Sequence, residues 1–435
     1  MVTTSKGSCS SPLRLVAGGV LALALVGLIL LFVSARRESQ MWPVGTPPVI
    51  VPEPPLAVDD GAWNAFLALG ATLKDVDLAW VSPAITALGS PPADALPRWK
   101  EHARSLDDLQ ALVARGGMKS PHVEMDDLLP PVIPFLQLGR LALLRAWFKA
   151  SQGDPEGARD DLELVLRLGV LLEQASGSLL LTMVGLSLQD GLVDETGEIL
   201  AAHPEWPGDT WLPLGQALIR ASSLPPGMVA SLALECDAQE RMWRRFGGLS
   251  TWELLRSTGE LQRQGEASTE GTGSSWFFDV DKTVAMTRYR CRRRLAEWLK
   301  PGSARLTVHH EPLFQGKTWS PGVFVDNPVG RVLLDIGEPS MDNTLARSDR
   351  VRARRALLGL RLGMLAFLQQ HAGSYPASLG DLVPEVLPEV PVDPYSGEAL
   401  VYDREAGTLA STGTQDDEVL LVRLRDEVPA VPPAQ

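Results

Sequence analysis

The chain has 435 residues, a formal net charge of −13 and 45% hydrophobic residues. That length leaves room for two or three domains. The acidic balance argues against nucleic-acid binding as a main role, and the apolar content is enough to build a packed core. Aromatic residues make up only 6%, and the dominance of leucine and alanine leans helical.

Leu15 to Val33 is an uncharged apolar run flanked by Arg14 on one side and Arg36-Arg37 on the other. It is just long enough to cross a hydrocarbon core as a helix. The expected order is therefore a short cytoplasmic head at 1–14, a single-pass transmembrane anchor at 15–33 and an extracytoplasmic bulk held at the inner, cytoplasmic membrane. A cleaved signal peptide would have a shorter apolar region and a small-residue cleavage site, which Ser34-Ala35 supplies only weakly. Residues 34–58 carry Pro43, Pro47, Pro48, Pro52, Pro54 and Pro55, the composition of a stiff extended spacer.

From 59 to 264 the apolar spacing predicts a helical domain. The clearest joint is Gly153-Asp154-Pro155: glycine ends one helix, aspartate caps the next and proline occupies its first turn. With Ala158 and Leu162 it looks like one joint of a tetratricopeptide-type helix pair. The same joint does not recur 34 residues to either side, so the reading is helical hairpins, repeat-like, and not a repeat array. Residues 265–275 are Gly/Ser/Thr/Glu-rich and read as a flexible loop. Residues 276–340 read as an amphipathic helix followed by an extended arm.

The last segment, 341–426, has the most order. Leu357, Leu360, Met364, Phe367 and Leu368 share one helical face, and Gly373 ends that helix. Tyr375-Pro376 forces an extended step. Ser378 is the expected cap of a short helix through Leu379 and Leu382, Asp393-Pro394-Tyr395-Ser396-Gly397 reads as a tight turn, and two short strands follow at Leu400–Tyr402 and Thr408–Ala410. Residues 427–435 read as a disordered tail. The fold class is thus mainly α: a helical-hairpin domain with a small α+β C-terminal module, behind one transmembrane helix.

Tyr375-Pro376, Leu379, Leu382, Pro391, Asp393-Pro394, Gly397, Tyr402 and Ser411-Thr412-Gly413 resemble the C-terminal half of the major pseudopilin of type II secretion. That family runs from a Tyr-Pro step through an Asp-Pro-aromatic-Gly turn to a strand ending in Tyr and a Ser-x-Gly turn. The arrangement also resembles C-terminal modules of large membrane-anchored bacterial proteins. The processed pseudopilin leader has no counterpart here. The family's calcium loop continues with glycines where this chain reads Thr414-Gln415-Asp416-Asp417-Glu418. Asp393, Asp416 and Asp417 can supply some of the six to eight oxygens calcium takes; the other reading is a solvated acidic turn and no cofactor.

No nucleophile elbow, zinc-binding His-Glu-x-x-His, phosphate loop or dinucleotide fingerprint occurs in the sequence, and no catalytic residue is assigned. Four candidates stand out. Arg288-Tyr289-Arg290-Cys291-Arg292-Arg293-Arg294 is the densest charge run; it reads either as a solvated helix face or as a contact for anionic headgroups or an acidic partner. Arg361 falls among Leu357, Leu358, Met364 and Leu368, where it either snorkels to water or pairs with a buried carboxylate, for which Glu235 is the expected partner. Cys236 and Cys291 read equally as a disulfide in an oxidising compartment or as two buried thiols. Tyr375, Pro376, Asp393, Pro394 and Gly397 mark the C-terminal module. The functional expectation is a non-enzymatic envelope protein that contacts the membrane and other envelope proteins, attached to a secretion or pilus-like assembly. The alternative is an extracytoplasmic hydrolase using carboxylates such as Glu235 and Asp237.

Overall fold

A computed structural model describes residues 47–50, 61–73, 80–81, 96–120, 132–175, 179–247, 278–305, 327, 330, 334, 339–415 and 418–424. The anchor at 15–33, most of the spacer, the loop at 265–275 and the tail at 427–435 lie outside them. The described part is mainly helical and ends in a three-stranded antiparallel sheet. No single described helix is long and apolar enough to cross a membrane.

The chain divides into two units that cut across the expected boundaries. The larger comprises the described residues of Val49–Ala238, Cys291–Val308 and Pro339–Gln435. Its first part holds α1 (Ala62–Thr72), a 3-10 helix (Leu96–His102), α2 (Ala103–Val113), α3 (Val132–Ser151), α4 (Pro155–Gln174), α5 (Leu179–Ala202) and α6 (Gly208–Ser222). The α3–α4 joint forms as its sequence dictates. Gly153 takes φ +72°, and the Asp154 side chain accepts the Gly157 N–H at 2.9 Å. Leu138, Leu141 and Leu144 of α3 interlock with Leu162, Val165 and Leu168 of α4 and Leu188 and Leu192 of α5, all buried. Burying such side chains is worth roughly 1.5–3 kcal/mol each.

Two of these pairings are backbone to backbone. A methyl group at Gly185 of α5 would stand 2.5 Å from the carbonyl oxygen of Gly169 and 2.7 Å from the Glu173 nitrogen on α4. At Gly208 it would stand 2.5 Å from the Leu365 carbonyl oxygen. Glycine is required at both because the helix axes come too close for any side chain.

The long helix α9 (Pro339–Gln370) is the spine of this unit. One flank packs on α6 and α5, with Leu358 and Leu362 in their core. The other flank (Leu360, Met364, Phe367) meets Leu379, Leu382, Leu400, Leu409 and Leu424 of the C-terminal segment. The module expected at 341–426 is therefore continuous with the helical body rather than a separate domain. Ser378 caps the short 3-10 helix Leu379–Leu382 reciprocally with Asp381. The sheet runs β1 (Val401–Asp403), β2 (Thr408–Gln415), β3 (Glu418–Arg423). Register pairs Tyr402 with Leu409 and Leu409 with Val422. Strand β3 was not anticipated. Ser411-Thr412-Gly413, expected as a turn, lies within β2, where the register shifts between Ala410 and Thr414, a bulge that bends the strand.

Helices α7 (Gly227–Phe246) and α8 (Val280–Trp298) each run from one unit into the other. The smaller unit contains the described residues of Gln239–Arg290 and His309–Glu338. Trp243, Phe278, Val284, Met286 and Leu334 form its core. Asn327, buried at φ +54°, accepts the Asp279 N–H at 2.9 Å and donates to Thr283 Oγ1 at 2.8 Å, fixing the start of α8.

Candidate functional site

The first half of α9, which reads from sequence as a charged start, carries the densest buried polar network among the described residues. Arg355 and Glu173 are each only 1% exposed. The Arg355 guanidinium reaches Glu173 Oε2 at 3.2 Å and also donates to the Gln189 side chain and, at 3.3 Å, to the Ala221 carbonyl. Gln189 in turn donates to Glu173 at 2.9 Å. Burial pushes Arg355 down to about 10, with Glu173 pulling the other way, so the guanidinium stays charged at neutral pH. Six residues earlier, Asp349 is bound by Arg305, whose second nitrogen lies 3.2 Å away. Burial holds the Asp349 carboxyl above its ordinary range despite Arg305 and Arg352. Arg352 donates to the Ser222 and Leu224 carbonyls at 3.4 and 3.3 Å, and Arg354 binds Asp190 and Asp194 of α5.

A buried arginine–carboxylate pair on this helix was expected, but between other residues. Arg361 is half-buried, with Nη1 3.9 Å from where a Gly197 methyl would sit. Glu235 lies on α7, its carboxyl raised by burial alone. The two do not pair, because the face of α9 that meets α4 and α5 at depth is the one bearing Arg355. A second buried carboxylate, Asp161, holds Arg145 at 2.5 Å and Lys149 at 2.9 Å across the α3–α4 hairpin.

The uncompensated Glu235 carboxyl gives a pH signature. Its raised value means the folded state keeps this proton to higher pH than the unfolded chain does. Its contribution is therefore favourable below the unfolded value, near pH 4, and is lost as pH rises through the folded value. Glu235→Gln is expected to stabilise the protein at pH 7 and to leave stability at pH 4 unchanged. Urea melts at the two pH values check this; an equal effect at both would refute it.

In the C-terminal segment the sequence-marked residues find one another. Asp393 is fully buried and accepts from five donors: Tyr395 N at 3.0 Å, Ser396 Oγ at 3.4 Å, Ser411 Oγ at 2.9 Å, and Thr412 N and Oγ1 at 2.8 Å each. Tyr402 donates to the Pro376 carbonyl at 3.1 Å, and Tyr375 to the Leu424 carbonyl at 3.3 Å. The Pro394 and Tyr395 carbonyls accept Gly302 N and Ser303 N, at 3.0 and 2.7 Å. Gly397 takes φ +78°. Both Asp393 oxygens are thus engaged by protein donors. Asp416 and Asp417 lie outside the described residues, among which no group of three metal-ligating side chains occurs. Beside Tyr375 and Pro376 lies an open cleft of about 450 Å³, lined also by Phe367, His371, Asp381 and Pro384.

The arginine run is not a solvated face. Arg290 and Arg294, one helical turn apart on α8, are buried, while Arg292 is half-buried and Arg293 exposed. Arg288 binds Glu240 of α7. The run is divided among packed and exposed positions because Cys291, in its middle, turns inward to bond Cys236, with Cα atoms 6.2 Å apart. Of the two cysteine readings, the structure takes the disulfide.

Sequence reasoning missed Arg355, Glu173, Gln189 and Asp349. A signal for Glu173 existed: it falls seven and eleven residues after Leu166 and Leu162, on the same helical face. No protein-family model matches the chain, no curated protein is significantly similar to it, and no solved structure matches it significantly.

Proposed function

We propose that this chain is a non-enzymatic, membrane-anchored cell-envelope protein whose helical body is an interaction scaffold carrying a pseudopilin-like C-terminal module. The observation that carries the reading is the mutual bonding of the residues that bear the resemblance. Pro376 is held by Tyr402, and Asp393 by Ser411 and Thr412. The spacing of these residues is thus a folding requirement, not scattered turn chemistry. The Cys236–Cys291 disulfide supports an oxidising compartment, and the apolar run at 15–33 supports an anchor to it. The carboxylates a hydrolase would draw on fit less well: Glu235 and Asp237 are two residues apart on α7, about 200° round the helix, and do not converge.

Spheroplast proteolysis tests the topology. The full chain is expected to remain in carbonate-washed membranes and to be digested by protease added from outside. Removal of residues 15–33 is expected to release it. A full-length chain that fractionates as soluble, or one shielded from the protease until the membrane is lysed, would overturn the reading.

A further inference from the structure

The basic stretch prominent in the sequence is largely packed away, yet the fold presents another. Between Pro97 and Arg104 the chain reads Pro-Arg-Trp-Lys-Glu-His-Ala-Arg: three permanent cations and a histidine against one carboxylate, in a protein of net charge −13. The 3-10 helix Leu96–His102 and the start of α2 carry this stretch. Arg98, Lys100 and Arg104 are all exposed, and none forms an ion pair with a carboxylate among the described residues. Aromatic rings seat two of the cations. The Arg98 guanidinium lies 3.9 Å from the Trp80 ring centre, and Lys100 Nζ 5.1 Å from that of Phe148. Trp80 also stacks with His102 at 6.4 Å. Trp99 meets Phe148 edge-on at 5.8 Å. Trp80 and Trp99 are half-buried, apolar bodies left partly at the surface beside fixed positive charge.

We infer that the Trp80–Arg98–Lys100–Arg104 surface is a docking site for an anionic phospholipid bilayer face. Half-exposed tryptophan and unpaired cations are the side-chain chemistry of a headgroup interface. Cations seated on rings are already oriented and lose little freedom on contact. The occupant follows from the charge complementarity and from the chain itself: the spacer at 34–58 is about 75 Å long at full extension, so this surface stays within reach of the bilayer to which residues 15–33 would tether it. The inference rests on the proposed anchor. It makes the contact a second attachment point, one that holds the helical body down against the membrane.

The test uses the full chain in nanodiscs of either phosphatidylcholine or a phosphatidylcholine–phosphatidylglycerol mixture, read by hydrogen exchange over residues 96–104. Exchange is expected to slow at least tenfold in the anionic discs alone, and 0.5 M salt is expected to reverse it. The triple variant Arg98→Gln/Lys100→Gln/Arg104→Gln removes about fivefold in surface affinity per charge, about a hundredfold together, and should abolish the protection. Lys100→Gln/Arg104→Gln, which keeps Arg98 on Trp80, should lose most of it with the fold intact by circular dichroism. Equal exchange in both discs, or protection that survives the triple variant, overturns the docking site while leaving the anchor standing. If the chain does not enter discs at all, the anchor fails. Co-sedimentation of the soluble chain with phosphatidylglycerol vesicles then decides the surface separately: salt-sensitive binding lost in the triple variant upholds it, and absence of binding overturns it.

Discussion

Replacing Arg355 with methionine is expected to lower the unfolding free energy at pH 7 by about 3–5 kcal/mol, the usual cost of breaking a buried ion pair from one side. The cause is not the lost attraction as such. Glu173 would be left as a buried carboxylate with the Gln189 amide as its remaining side-chain donor and only the more distant Arg352 charge to offset it, in a space sealed by α4, α5 and α9. One further result separates this from a packing defect. Arg355→Met combined with Glu173→Leu should recover part of the stability, since apolar replacement of both partners removes the uncompensated charge. Arg361→Met, at a half-buried position six residues on, should have a smaller effect. A variant at Arg355 within 1 kcal/mol of the parent in urea titration would show that the network does not matter.

Asp393→Ala is expected to have a comparable effect but a different reach. Several partly or fully buried donors converge on this carboxylate, and each buried donor left without an acceptor costs about 1–3 kcal/mol; with Ser411 and the Tyr395 amide the hardest to re-solvate, the sum is about 3–5 kcal/mol. The turn at 393–397, the register of β2 and the attachment of the Gly302–Ala304 helix should loosen together. Hydrogen exchange should therefore accelerate over 393–424 while α3 and α4, whose core lies elsewhere, keep their protection. Asp393→Asn, which retains one acceptor oxygen, should fall between alanine and the parent. Uniform acceleration across the whole chain would contradict this division.

Local signals in the sequence were reliable wherever a single residue type decides the geometry. Gly153, Asp154 and Pro155 state a helix joint outright, and Ser378 with Asp381 states a cap. The apolar faces of α3, α4 and α9 followed from their period. Legibility ended where burial depends on which elements meet. Arg355 and Arg361 both sit among leucines on the same helix, and only the approach of α4 and α5 decides which is sealed in. The arginines from Arg347 to Arg355 also hid the stripe Val351, Leu358, Leu362, so α9 looked shorter than it is. Strand β3 was lost because Asp416-Asp417-Glu418 reads as an acidic turn, although Val419-Leu420-Leu421-Val422 behind it has the β-branched, apolar composition of a strand. For Asp393 the turn was legible, but not that its carboxylate would be occupied from across the sheet.

The Cys236–Cys291 bond has a consequence for the covalent chain. The whole of Gln239–Arg290, which holds most of the smaller unit's described residues, lies between those two cysteines, so it is a lariat whose ends are knotted together. A nick anywhere inside that ring leaves both fragments of the protein joined until a reductant is added. In an environment rich in proteases, the ring can be cut and the molecule still arrive in one piece.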